Sequence, residues 1–249
     1  MSEAERRSAE ENLLEARRGK AKRVRERGEN PFANDVTAWA KDRKDIAVVR
    51  GSANDAKAEG KYVQEKVDAL AKTLGDVNVT GRVVALRSTG ALSFVRLRDR
   101  TGEIQIMLDQ SIAGENYARL EDIDIGDIIQ TVGALTASKR GELSILAKNL
   151  RLVTKAIRPL PEKWHGLQDV ETRYRQRYVD LIANPEVADV FRARSLIVRA
   201  LRKILDDSGF LEVETPSMAT LVGGATAKPF ETHHNALDLK LFMRIAPEL

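Results

Sequence analysis

Between Val77 and Val153 the chain repeats one pattern five times: a short strand-like run closed by a turn signal. The runs are Val77 to Arg87, Leu92 to Arg98, Glu103 to Leu108, Ile128 to Thr136 and Leu143 to Val153. Apolar residues recurring every second position mark strands with one buried face. Arg100-Thr101-Gly102 and Lys139-Arg140-Gly141 supply hairpin turns. A short helix, about Glu115 to Leu120, interrupts the series between the third and fourth runs.

Five strands with one helix between the third and fourth is the order of an OB-fold barrel, a common nucleic-acid platform. Side-chain direction sharpens the expectation. Val95 and Leu97 share the inner face of the second strand, which leaves Phe94, Arg96 and Arg98 outside. Ile104, Ile106 and Leu108 continue the core, so Gln105 lies outside with Phe94. Leu143 and Ile145 point inward, so Glu142 and Ser144 point outward. An aromatic ring beside arginines and an amide can stack a base and read its edge. The bland alternative is that Phe94 only packs beneath a loop. The basic residues gather in the first two strands (Arg82, Arg87, Arg96, Arg98, Arg100) and the acids from Glu115 to Asp127. That polarity would orient an RNA.

The flanks are helical. Residues 1 to about 30 read as a charged helix whose only large apolar residues are essentially Leu13 and Leu14, so it has little to bury. Arg17 to Arg27 holds seven basic residues against one acid, Glu26. This is either a solvated face or a contact to RNA phosphates. The Gly28 to Pro31 region ends that helix, and another is expected near Tyr62 to Leu74. Arg158-Pro159-Leu160-Pro161 reads as stiff and extended. Arg173, Arg175 and Arg177 cluster after it, as a solvated or internally paired face or as an RNA contact. A helix over Pro185 to Asp207 starts with Asn184 as cap and Pro185 at its first position. Val187, Val190, Phe191, Ile197, Val198, Leu201 and Leu205 form its apolar stripe, interrupted by Arg194. Gly209 ends it, Phe210 to Glu214 alternates as a strand, and Pro216 stops that strand or confines it to an edge.

Composition excludes several classes. Of 249 residues 43% are hydrophobic, enough for one large domain or two smaller ones. There is no cysteine, hence no disulfide scaffold and no thiolate metal site. The three histidines, with His233 and His234 adjacent and divergent, make a poor metal site, and His165 reads as structural. No apolar run reaches the roughly 18 residues of a membrane span. The N-terminus lacks a signal-peptide core, so a cytoplasmic protein without membrane partners is expected. A net charge of +4 permits a polyanionic partner without demanding one.

Several strings resemble one family. GFLEVETPSM, Gly209 to Met218, resembles the first signature motif of class II aminoacyl-tRNA synthetases, where the helix and strand build the dimer interface. GRVVALRSTGALSFVRLRD, Gly81 to Asp99, with GEIQIML and GELSIL, resembles the anticodon-binding domain of the lysine, aspartate and asparagine synthetases. Leu150 to Leu181 is similar to the hinge and first helix of bacterial lysyl-tRNA synthetases. The string GGATAKPFETHHNALDLKLFMRIAPEL is similar to the lysine enzymes almost end to end. One departure is Ala91, where many bacterial lysine enzymes carry lysine.

The resemblance implies an α+β chain. It has a helical extension over 1–75, an OB-fold anticodon-binding barrel over 76–153, a hinge over 154–185 and, over 186–249, the incomplete start of an antiparallel class II catalytic domain. It implies anticodon contacts from Phe94, Gln105 and Glu142 with Arg87 beside them. Gly223, Gly224 and Glu248 would touch lysine, with Glu248 accepting a hydrogen bond from its α-ammonium. Gly209, Phe210 and Pro216 fall at the dimer interface. The complete family enzyme attaches lysine to tRNA through a lysyl-adenylate, using ATP and Mg2+, and works as a homodimer. Its arginine motifs for ATP and its acids for magnesium have no counterpart in residues 1–249. The catalytic set is therefore expected to be incomplete and the chain truncated, inactive alone, with little affinity for ATP and with an open sheet edge. A non-catalytic tRNA-binding or dimerisation module is the alternative.

Overall fold

The computed structural model describes residues 3–35, 42–161 and 166–246, with side chains from residue 9 onward. His165 and Glu248 lie outside the described residues. Contacts group the chain into two compact units, Met1–Gln168 and Asp169–Leu249.

The first unit opens with helix α1 (Glu3–Glu26) and continues through α2 (Ile46–Ser52), a two-residue-per-strand hairpin β1 (Lys57–Ala58) and β2 (Lys61–Tyr62), and α3 (Gln64–Leu74). Then come β3 (Val77–Thr89), β4 (Leu92–Arg98) and β5 (Glu103–Asp109), a short helix α4 (Gln110–Ala113) running into a 3-10 segment (Gly114–Asp122), β6 (Ile128–Ala137) and β7 (Leu143–Thr154). The five long strands close into a barrel in the order β3-β4-β5-β7-β6. All pairs are antiparallel except β5 with β7. The expected OB-fold barrel is therefore present, each strand starting where the alternation starts.

The inward residues make the core: Val83, Val95, Leu97, Ile106, Leu108, Ile129 and Ile145 are all fully buried. The β4–β5 turn is built by Asp99, whose Oδ1 accepts from the Thr101 and Gly102 amides at 2.7 and 3.0 Å. Its Oδ2 accepts the Ile46 amide at 2.9 Å, so the same carboxylate caps α2 through space. Gly133 sits at a register shift between β6 and β7, where a Cβ would meet the Leu146 carbonyl at 2.0 Å.

The N-terminal helix buries more than its two leucines foretold. Val24 and Ala21 reach the core, while Leu13 stays exposed. Its basic run is spent largely inside the molecule. Lys20 pairs with Asp124 at 2.7 Å, Arg23 with Asp122 at 2.7 Å, and Arg27 with the same Asp122. Arg17, itself buried, donates to the carbonyls of Ala156 and Ile125 at 2.8 and 3.2 Å. Beneath them Lys155, fully buried, donates to Asp124, Asp127 and the Asp122 carbonyl. The acidic stretch is thus the seat of α1. The barrel's own arginines are also largely compensated: Arg82 donates to the Gly126 carbonyl, Arg98 pairs with Glu103, and Arg100 with Asp45. The charge polarity expected to orient an RNA is neutralised within the fold at these positions.

The second unit contains α5 (Val170–Arg175), α6 (Arg177–Ala183), α7 (Val187–Asp207) and a three-stranded antiparallel sheet of β8 (Met218–Ala219), β9 (Glu231–His234) and β10 (Leu239–Met243), ordered β8-β10-β9. Arg173 and Arg177 both bind the buried Asp180, and Arg175 pairs with Glu171, which is internal pairing. Helix α7 begins two residues later than expected. Asn184 donates its side-chain amide to Asp180 at 2.7 Å, its carbonyl receives the Val187 amide, and the N-cap of α7 is Glu186. At the other end Gly209 adopts φ +85°, with the Gly209 amide on the Asp206 carbonyl and the Phe210 amide on the Leu205 carbonyl. This is a Schellman closure, which needs a residue tolerant of the left-handed region.

One expected strand does not form. Residues 210–214 form no regular element and pair with no described strand. Arg244 and the two residues after it leave β10, the Arg244 amide binding the Ser217 carbonyl. Alternation makes a segment fit for a sheet, but only a hydrogen-bonded neighbour makes it a strand.

Candidate nucleic-acid interface

The outer face of β3, β4 and β5, with the turn between β6 and β7, forms a groove of about 620 Å3. Arg87, Phe94, Gln105 and Glu142 all line it. Strand register explains why. Arg87 lies opposite Phe94, Arg96 opposite Gln105, and Gln105 opposite Ser144. Residues that alternate with the core set along each strand project to this side. Phe94 and Gln105 are half-buried in the groove wall.

The polar groups are held in fixed orientations. Ser144 is fully buried and donates to the Glu142 carbonyl at 3.2 Å. Its hydroxyl therefore accepts from Gln105 Nε2, at 2.9 Å. That fixes which way the Gln105 amide points. Arg96 donates to Glu142 at 2.7 Å, which positions the carboxylate and removes one free cation from the groove.

Three cations at the groove remain available. Arg87, Lys139 and Arg140 are exposed and make no ion pair among the described residues. Sequence reasoning took Lys139 and Arg140 only as a turn. Two adjacent cations between strands whose outward residues already face RNA chemistry were the signal to read further.

The remaining site residues are not assembled. Gly223 and Gly224 sit in an exposed loop, and Glu248 lies outside the described residues. Gly209, Phe210 and Pro216 are exposed, Phe210 by 66%. His233 binds Asn235 and Asp238 while His234 accepts the Leu237 amide, so both organise the β9–β10 turn. Among the described residues no group of three histidine or acidic side chains is placed to hold a metal ion.

Residues 77–153 match the family model described as "OB-fold nucleic acid binding domain". Residues 169–249 match "tRNA synthetases class II (D, K and N)". The lysine–tRNA ligase of Xanthomonas oryzae pv. oryzae is 54% identical over 182 residues, 73% of this chain and 36% of that protein. The lysine–tRNA ligase of Xanthomonas axonopodis pv. citri is 46% identical over 236 residues, 88% of this chain and 46% of the relative. That of Halalkalibacterium halodurans is 45% identical over 239 residues, 96% of this chain and 45% of the relative. The chain spans less than half the length of these curated relatives.

Proposed function

Since the chain belongs to the lysine–tRNA ligase family of class II synthetases, we propose that its barrel binds the anticodon loop of a lysine-accepting tRNA. The observation that carries this reading is the convergence of Arg87, Phe94, Gln105 and Glu142 on one groove. Phe94 offers a ring face for a base. The Gln105 amide presents an acceptor and a donor side by side, the complement of the N3–H and carbonyl edge of uridine. The Ser144 hydroxyl favours that orientation over the flipped one a cytidine would need. The second oxygen of Glu142 can accept from a base N–H. Arg87, Lys139 and Arg140 supply charge for the backbone.

In this reading the chain is part of an ATP-dependent enzyme that attaches lysine to tRNA in the cytoplasm and pairs with a second copy. Gly223, Gly224 and Glu248 would border the lysine, and α7 with Gly209, Phe210 and Pro216 would face the partner. ATP with Mg2+ would supply the activation of the lysine carboxylate. Among the described residues no group of three histidine or acidic side chains is placed to hold the metal, and no step is routed through it. The alternative, a binding module, shares the groove and differs only in chemistry.

Filter binding tests the groove. Phe94→Ala should weaken binding of lysine tRNA by about 1–3 kcal/mol. Equal affinities of variant and parent would reject the anticodon face. Lysine-dependent pyrophosphate exchange by the same chain separates ligase from module.

A further inference from the structure

The groove does not end at Glu142. Gln105 and Glu142 also line a cavity of about 60 Å3, whose other walls include Tyr62 and Arg50. Tyr62 and Arg50 in turn line an open depression of about 300 Å3 with Asn54, Lys57 and Thr101. The groove and these two hollows thus share walls, and the β1–β2 hairpin that lines the last of them is joined to the barrel by the Tyr62 amide on the Gly141 carbonyl at 2.9 Å.

Among the residues lining these two hollows, both glutamates are paired: Glu142 with Arg96 and Glu103 with Arg98 at 2.6 Å. Asp45 is taken by Arg43 and Arg100. Lys57 is exposed, makes no ion pair among the described residues, and holds its ammonium 5.0 Å from the Tyr62 ring centre. Arg50 spends one nitrogen on the Glu103 carbonyl at 2.8 Å and presents the rest of its guanidinium. Tyr62 is 9% exposed, and its hydroxyl is buried with no hydrogen-bond partner among the described residues.

We propose that Arg50 and Lys57 form a phosphate subsite that holds the RNA backbone next to the nucleotide stacked on Phe94. The proposal rests on the reading of the groove as an anticodon-loop site. It adds a sequence-independent grip from the N-terminal region to the base-reading set of the barrel. Phosphate contacts position and base contacts specify, so the two sets have different signatures.

The test measures binding of a synthetic RNA hairpin carrying a lysine anticodon loop to the full chain between about 50 and 200 mM salt. Each lost phosphate contact on a single strand lowers the salt slope by about 0.7, or about 2.6-fold less affinity loss across that fourfold range. Lys57→Ala and Arg50→Ala should each show this change, and the double variant about sevenfold. Discrimination between uridine and cytidine at the middle base should stay as in the parent. Lys57→Arg should restore the slope, and the thermal midpoint of Lys57→Ala should match the parent. Binding that depends on Phe94 but is untouched by Lys57→Ala and Arg50→Ala would overturn the subsite and leave the groove standing. Weaker binding with an unchanged salt slope would show a structural effect and also overturn it. Absence of RNA binding by the parent chain would remove both readings.

Discussion

At the scale of single residues, Ser144 controls more than its size suggests. It was expected only as an outward neighbour of Glu142, yet it is fully buried and orients the Gln105 amide. Ser144→Ala should let that amide flip, narrowing the preference for uridine over cytidine while leaving total affinity little changed. Competition binding with hairpins differing at the middle base measures this. Gly133 makes a different point. Its missing Cβ allows β7 to pass at a distance no side chain permits, the Leu146 carbonyl standing 2.0 Å from where that carbon would be. Gly133→Ala should cost about 1–3 kcal/mol or more, read from the urea midpoint, because the contact is backbone and cannot swing aside.

At the scale of elements, the joint between α1 and the barrel is an ionic one over a thin apolar seam. Asp127 and Lys155 are both fully buried. Removing Lys155 leaves the buried Asp127 carboxylate without an ion pair among the described residues, so Lys155→Ala should lose about 3–5 kcal/mol of stability in urea titration. Burial pushes the Asp124 carboxyl up, but hydrogen bonds from Lys155 and Lys20 outweigh it and hold the group below the usual carboxylate range. A lowered folded value stabilises the fold above the unfolded pKa and loses that contribution as pH falls through the folded one. For this group, urea midpoints should be flat from pH 7 to about 5 and decline only below about 4. A decline centred near pH 6 would contradict the assignment to Asp124.

At the scale of the whole molecule, α7 presents an apolar stripe to solvent. Ile197 and Leu201 are 60% and 57% exposed, and none of the helix's residues is buried within the chain. A stripe of that kind on an amphipathic helix is suited to a second copy. If it serves as a dimer face, sedimentation of the chain should show concentration-dependent dimers, and Ile197→Glu with Leu201→Glu should shift them to monomers. A parent chain that stays monomeric at every concentration would assign the stripe elsewhere.

The five barrel strands and the side on which Phe94, Gln105 and Glu142 project were legible without coordinates. Period-two alternation is local, and a residue's face follows from counting along its own strand. The helix end at Gly209 was legible for the same reason, since a left-handed closure is decided within a few residues. Tertiary structure alone decided where the charges went. Arg23 meets Asp122 across 99 positions of sequence, so a run of cations resembled a solvated face or an RNA contact until its acids were located. It also decided that residues 210–214 remain unpaired, that Asn184 serves Asp180, and that the β1–β2 hairpin lies against the barrel beside Glu142. Alternation, capping chemistry and charge each state what a residue is fit to do; the neighbour it meets in space determines which of those things it does.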